Sequence, residues 1–138
     1  MNKGDVFPPF SFFDENGEIV NNKNLDGLRF VLFFFERTDS DSIKEFSNIY
    51  AKLMFRNVIS IGVGPFTRDE LTSLKKEYST KVKLVSDSRS TFSPESRISS
   101  DSVFLIGKDG RIEDLWEYSG AKTCEQVVFK VISLFRIA

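Results

Sequence analysis

The hydrophobic positions of this chain change period as they run, and each change marks a new element. Residues 10–13, FSFF, and 18–20, EIV, are short extended stretches on either side of DENG. The Asn16-Gly17 pair suits a tight turn with positive backbone angles, so a small N-terminal hairpin is expected. Residues 28–35 are apolar without a break once Arg29 is passed, the pattern of a central strand covered on both faces. From there the period lengthens. Ile43, Phe46, Ile49, Tyr50, Leu53 and Met54 recur at intervals that place them on one face of a helix. Ser42 and Glu45 have the spacing of a capping box, in which each side chain bonds an otherwise unpaired backbone N–H. Asp39 and Asp41 add negative charge at the positive end of the helix dipole.

Residues 58–63, VISIGV, read as a second buried strand closed by Gly64-Pro65. Residues 67–78 form a helix capped by Thr67 with Glu70, and 82–87, VKLVSD, a third and shorter extended segment. One helical turn is expected within 92–98. SVFLI (102–106) and RIEDLWEY (111–118) are strands joined through KDG, a strong hairpin signal. Thr123, with Gln126, is expected to cap a last helix whose apolar face includes Val127, Val128, Val131, Ile132 and Phe135. No repeat, low-complexity tract or linker interrupts this order, so the 138 residues are expected to form one domain. The order implies an α/β fold, a three-layer α/β/α sandwich on a mixed sheet: parallel where helices cross over, antiparallel where the KDG hairpin closes it.

Composition narrows the function. The 19 basic and 20 acidic residues are interspersed, with net charge −1 and no basic stripe of the kind phosphate backbones require, which argues against nucleic acid. The 15 phenylalanines cluster in FPPFSFF and RFVLFFF. They are expected to fill the core, with a Phe-rich surface patch for a protein partner or homo-oligomer as the other use. The opening MNKGDVFPPF has no long apolar run, and residues 30–35 are too few to span a bilayer; the expectation is a cytoplasmic protein with no membrane association. Cys124 is the single cysteine, so no intramolecular disulfide forms. There is no histidine, which removes Ser-His and Cys-His catalysis and the commonest transition-metal ligand. DSDS at 39–42 begins like a calcium loop, but no glycine or closing glutamate follows in register. Neither a metal nor a cofactor is expected.

The blocks KGDVFPPFSFFDENGEIV, LDG followed by RFVLFFF, VISIGVG, KLVSD and VFLIGKDGRI with Trp116 occur together and in order. In this the chain resembles the redoxin group: the alkyl hydroperoxide reductase/thiol-specific antioxidant (peroxiredoxin) family and the related thioredoxin-like reductases. The resemblance implies a thioredoxin fold over almost the whole chain. It also implies where thiol chemistry would sit, and there the chain departs from the family. FFFERTDSDSIKEF aligns with the turn that carries Cys-x-x-Cys in the reductases, putting Asp39 at the first cysteine position and Ser42 at the second. Against the Thr-x-x-Cys pattern of peroxiredoxins, Ser42 again stands where the peroxidatic cysteine would be. The family's arginine near the start of the fourth core strand falls in SSDS, 99–102; Arg37 or Arg97 would have to replace it in space.

A serine hydroxyl ionises far less readily than a thiol and cannot cycle through sulfenic acid or disulfide. Asp39 and Asp41 would further disfavour a neighbouring anion. Three readings follow: a degenerate redoxin-like domain that binds a cationic or peptide ligand at the old active-site edge, a thiol peroxidase or reductase using Cys124, and an oligomer built on the Phe-rich surface. The thioredoxin topology would bring Cys124 to the edge that holds Ser42. A helix N-terminus and Lys122 would both lower its pKa. A serine hydrolase at Ser42 is excluded, with no histidine base and no Gly-x-Ser-x-Gly elbow.

Overall fold

The computed structural model describes residues 1–36, 41–87, 98 and 101–135. In chain order the elements are β1 (Ser11–Phe13), β2 (Ile19–Asn21), β3 (Arg29–Phe34), α1 (Ser42–Met54), β4 (Val58–Gly64), α2 (Arg68–Tyr78), β5 (Lys83–Ser86), β6 (Ser102–Ile106), β7 (Ile112–Glu117) and α3 (Ala121–Phe135). The expected helical turn at 92–98 falls almost wholly outside the described residues.

The strands make one seven-stranded sheet in the order β2-β1-β5-β4-β3-β6-β7. β3, β4 and β5 are parallel, while β6 lies antiparallel to β3 and β7 antiparallel to β6. This is the mixed sheet of the thioredoxin fold, as the alternation of elements implied. β3 is paired on both sides and buried on both faces, which is why its run of apolar residues is continuous. Phe30 and Leu32 point to one core, Val31, Phe33 and Phe35 to the other.

All three described helices lie over the second of these. Ile43, Phe46 and Leu53 of α1, Leu71 and Leu74 of α2, and Val127 and Val131 of α3 share one cluster with Val31 and Phe33. The crossovers β3-α1-β4 and β4-α2-β5 step the same way across the sheet, and right-handed connections then put both helices on one face. Among the described residues the opposite face is covered chiefly by the N-terminal segment, through Phe7, Phe10 and Leu25. Most of the phenylalanine is therefore core. Phe33 and Phe46 stack with ring centroids 4.1 Å apart and planes 4° from parallel. Gly62 makes room for them: a Cβ there would come within 2.6 Å of Phe33 Cζ.

Two turns show how polar residues fix the frame. In the N-terminal hairpin Asp14 Oδ1 accepts from the backbone N–H of Asn16 and of Glu18, both at 2.9 Å. Only Gly17 takes a positive φ, +78°, so the turn differs from the Asn-Gly geometry expected for it. Lys83 reaches Asp14 at 3.2 Å and Lys75 reaches Glu15 at 3.1 Å, tying the hairpin to β5 and α2. The KDG turn closes β6 on β7 as expected, with Gly110 at φ +79° donating to the Gly107 carbonyl at 3.0 Å. Among the described residues no helix is long and apolar enough to cross a membrane.

Candidate functional site

Because β6 runs against β3, one edge of the sheet collects the end of β3, the start of α1, the start of β6, the end of β7 and the start of α3. Ser42, the first residue of α1, sits there with 3% of its surface exposed. The capping box expected of Ser42 and Glu45 does not form. Asp41 holds the N-cap position with φ −72° and ψ −9°, already helical, and makes no side-chain cap bond. A capping side chain reaches back to the helix N–H groups from extended backbone, and that geometry is missing. Thr67 has it, with φ −77° and ψ 168°: its hydroxyl accepts from the Glu70 N–H at 3.2 Å and the Glu70 carboxylate from the Thr67 N–H at 3.0 Å. At α1 the Asp41 carbonyl accepts from the Glu45 N–H at 2.9 Å.

α3 also starts differently from expectation. Gly120, at φ +99°, turns the chain directly out of β7, and the helix begins at Ala121, two residues before Thr123. Thr123 is consequently buried inside the first turn, where its hydroxyl accepts from the Ser119 N–H at 2.9 Å. The next residue, Cys124, is 2% exposed and faces α1. The edge shared with Ser42 is as the topology implied, but the expected lowering of the thiol pKa is reversed. Burial pushes Cys124 up from the ordinary 9.0 to about 12, with Glu45 and then Asp41 adding to the rise. Lys122 does not offset this, because its side chain is exposed.

Tyr118, just past β7, completes the group and was not singled out by its sequence context. Its backbone N–H donates to the Asp101 carbonyl at 2.7 Å, and its ring tilts against Phe46 at 6.3 Å. The hydroxyl is buried without a hydrogen bond of normal geometry to any described residue. Burial, then the Asp41 charge, raises the phenol above its ordinary 10.0. Asp39, Arg37 and Arg97 lie outside the described residues. Of the segment where the family carries its arginine, Asp101 and Ser102 are described, and Ser102 pairs with Glu117 across β6 and β7.

The described edge thus gathers two carboxylates, Asp41 and Glu45, with three neutral groups: the Ser42 hydroxyl, the Tyr118 phenol and the Cys124 thiol. It disfavours a new anion and favours a positive one. A separate cleft of about 190 Å³ opens at the far end of the sheet over Phe7, Phe10, Leu25, Phe30 and Ile106, and it shares no residue with this edge.

Fold and edge together define a thioredoxin-like domain of the redoxin class. The model of the AhpC/TSA family matches residues 3–115, and the chain belongs to that family. The match ends before Tyr118 and Cys124. A Coxiella burnetii protein named for the peroxiredoxin bcp is 22% identical over 130 residues, covering 82% of this chain and 86% of its own. Among solved structures, peroxidoxin BcpB from Mycobacterium tuberculosis superimposes with a TM-score of 0.84 at 15% identity, over 96% of this chain and 97% of that one. The cysteine-to-serine mutant of Xylella fastidiosa PrxQ gives 0.82 at 20% identity, over 96% of each chain. At these identities the structures share the fold.

Proposed function

We propose that this chain is a degenerate member of the AhpC/TSA family that binds a cationic or peptide ligand at the former active-site edge instead of reducing peroxide. The observation that carries the reading is Ser42 at the first residue of α1, flanked by Asp41 and Glu45. A peroxidatic group must be an easily ionised thiol with cations or N–H donors around it. Here the residue is a hydroxyl, with the carboxylates of Asp41 and Glu45 close to it. The same carboxylates attract a lysine, arginine or amino terminus, and the half-buried Tyr118 ring supplies apolar surface beside them.

The alternative is a thiol peroxidase or oxidoreductase that uses Cys124, favoured by that residue's place on the same edge. Its burial and its raised pKa argue against it.

Titrating the protein with a lysine- and arginine-rich peptide, followed through Trp116 and Tyr118 fluorescence, tests the preferred reading. The affinity should fall about tenfold or more in Asp41→Asn/Glu45→Gln, the loss expected when two charge partners are removed. Equal affinity in that variant, or no binding at all, contradicts it.

A further inference from the structure

The cleft at the far end of the sheet has a floor and a rim of different chemistry. The floor is apolar: Phe7, Phe10 and Phe30 with Leu25 and Ile106, all buried. Phe10 meets Phe7 and Phe30 edge to face, with ring centroids 5.9 and 6.1 Å apart and planes at 77° and 63°. A further ring can join such an arrangement on the same terms, against a face or an edge. Backbone bonds hold the walls in place. The Phe7 N–H donates to the Gly110 carbonyl at 3.0 Å, joining the N-terminal segment to the KDG turn. In the loop before β3 the Asn21 and Asn24 side chains each accept from the other's backbone N–H, at 2.9 and 2.6 Å. The Leu28 N–H then donates to the Leu25 carbonyl at 3.0 Å. The space is formed before anything enters it.

The rim is exposed and charged. Asp109 is already engaged: its carboxylate accepts from the Arg111 backbone N–H at 3.1 Å and lies 3.9 Å from the Arg111 guanidinium. That guanidinium also donates to the Gly4 carbonyl at 2.9 Å. Asp26 and Lys108 are different. Both line the cleft, one from the loop before β3 and one from the KDG turn, and neither side chain has a hydrogen bond or ion pair with any described residue, the other included. The Asn22 amide lines the mouth in the same uncommitted state. One free carboxylate and one free ammonium therefore stand at the mouth of an aromatic cavity. At about 190 Å³ the cleft is smaller than the roughly 300 Å³ at which small-molecule sites usually begin. It has room for one ring or one branched side chain, and none for a nucleotide.

We propose that this cleft binds a free α-amino acid with an aromatic or large aliphatic side chain. The side chain lies on the phenylalanine floor, the ammonium faces Asp26 and the Asn22 amide oxygen, and the carboxylate faces Lys108. A zwitterion is the ligand whose two charges answer both free rim groups. An uncharged ring uses neither. An amine without a carboxylate meets Lys108 as a like charge, and a carboxylic acid without an amine meets Asp26 and Asp109 in the same way. The cleft shares no residue with the Ser42 edge, so the proposal stands or falls independently of the function proposed there.

Titration of the full chain with L-phenylalanine, followed by amide chemical shifts in NMR, tests it. The shifts should concentrate at residues 6–10, 22–30 and 106–110. They should saturate with a Kd on the order of 1 mM, as expected of a ligand of about a dozen heavy atoms. Phenethylamine and hydrocinnamate, which each lack one of the two charges, should bind more weakly than L-phenylalanine. Asp26→Asn and Lys108→Met, both at exposed positions, should each weaken L-phenylalanine about three- to fivefold. The two losses should be charge-matched: Lys108→Met should not weaken phenethylamine, and Asp26→Asn should not weaken hydrocinnamate. No saturable shift with L-phenylalanine overturns the proposal, as do shifts confined to the Ser42 edge. Equal binding of the three ligands, or an L-phenylalanine affinity that both rim variants leave unchanged, overturns it as well.

Discussion

Glu45, one turn inside α1, is the carboxylate that acts most strongly on the buried Cys124 thiol in the first turn of α3. The pair joins the two helices that start at this edge of the sheet, and its sign is opposite to what thiol catalysis needs. A redoxin turn gathers positive potential around sulfur. Here the neighbours are acidic.

The first consequence is chemical. With the thiol raised from 9.0 to about 12, its thiolate fraction near pH 8 is about a thousandfold below that of a free cysteine. Iodoacetamide should label the native protein slower than the denatured chain by at least that factor. Equal rates in the two states would contradict the placement of Cys124. The linkage has a definite sign. The folded state holds the proton more tightly, so this contribution to stability is complete below about pH 9 and is lost as the pH rises toward 12. Urea titrations should show the natural protein losing stability over that window faster than Cys124→Ala.

A cysteine placed at Ser42 should not by itself give thiol chemistry. A Ser42→Cys variant places a thiol at a position only 3% exposed, next to Asp41 and one turn from Glu45. Its alkylation should remain slow, and adding Asp41→Asn and Glu45→Gln should speed it about tenfold or more as the like charges are removed. Fast alkylation of the single variant would show that the helix N-terminus outweighs the carboxylates.

At the opposite side of the fold, Asp14 is 2% exposed. Burial alone would raise its pKa, but the N–H groups of Glu18 and Asn16, with Lys83, hold it below the ordinary 3.8. The stability it contributes is present above that value and is lost as the pH falls through the lower folded value. Asp14→Ala should cost about 1–3 kcal/mol at neutral pH, a difference that narrows in acid. A gap independent of pH would mean that the hairpin is held by other contacts.

The layer beneath the edge depends on close packing at β4. In Gly62→Ala the new methyl would meet Phe33 at 2.6 Å and Leu84 at 2.9 Å, with no exposed direction for either to yield. A loss of about 1–3 kcal/mol in denaturant unfolding is expected. Unchanged stability would show that the stack of Phe33 on Phe46 can shift freely.

Much of this was legible in the residues. The strands at 102–106 and 28–35, the Thr67-Glu70 box and the KDG hairpin are written in local patterns that tertiary packing only confirms. The helix starts at Ser42 and Thr123 were misread for a shared reason. A capping box depends on the backbone angle of one residue, and the same letters also suit a buried first turn. The environment of Cys124 was out of reach because its pKa is set first by burial and then by carboxylates some 80 positions away in sequence. The topology could bring the thiol to the edge without revealing the sign of the field it would meet. Tyr118 carries no motif at all: the pairing of β7 on β6 and its N–H bond to the Asp101 carbonyl bring it to Phe46.

The most direct test is peroxide consumption with a thiol reductant, measured for the natural protein beside Cys124→Ser. The account predicts that neither turns over above the protein-free background. Turnover by the natural protein that disappears in Cys124→Ser would contradict it and establish Cys124 as the peroxidatic thiol.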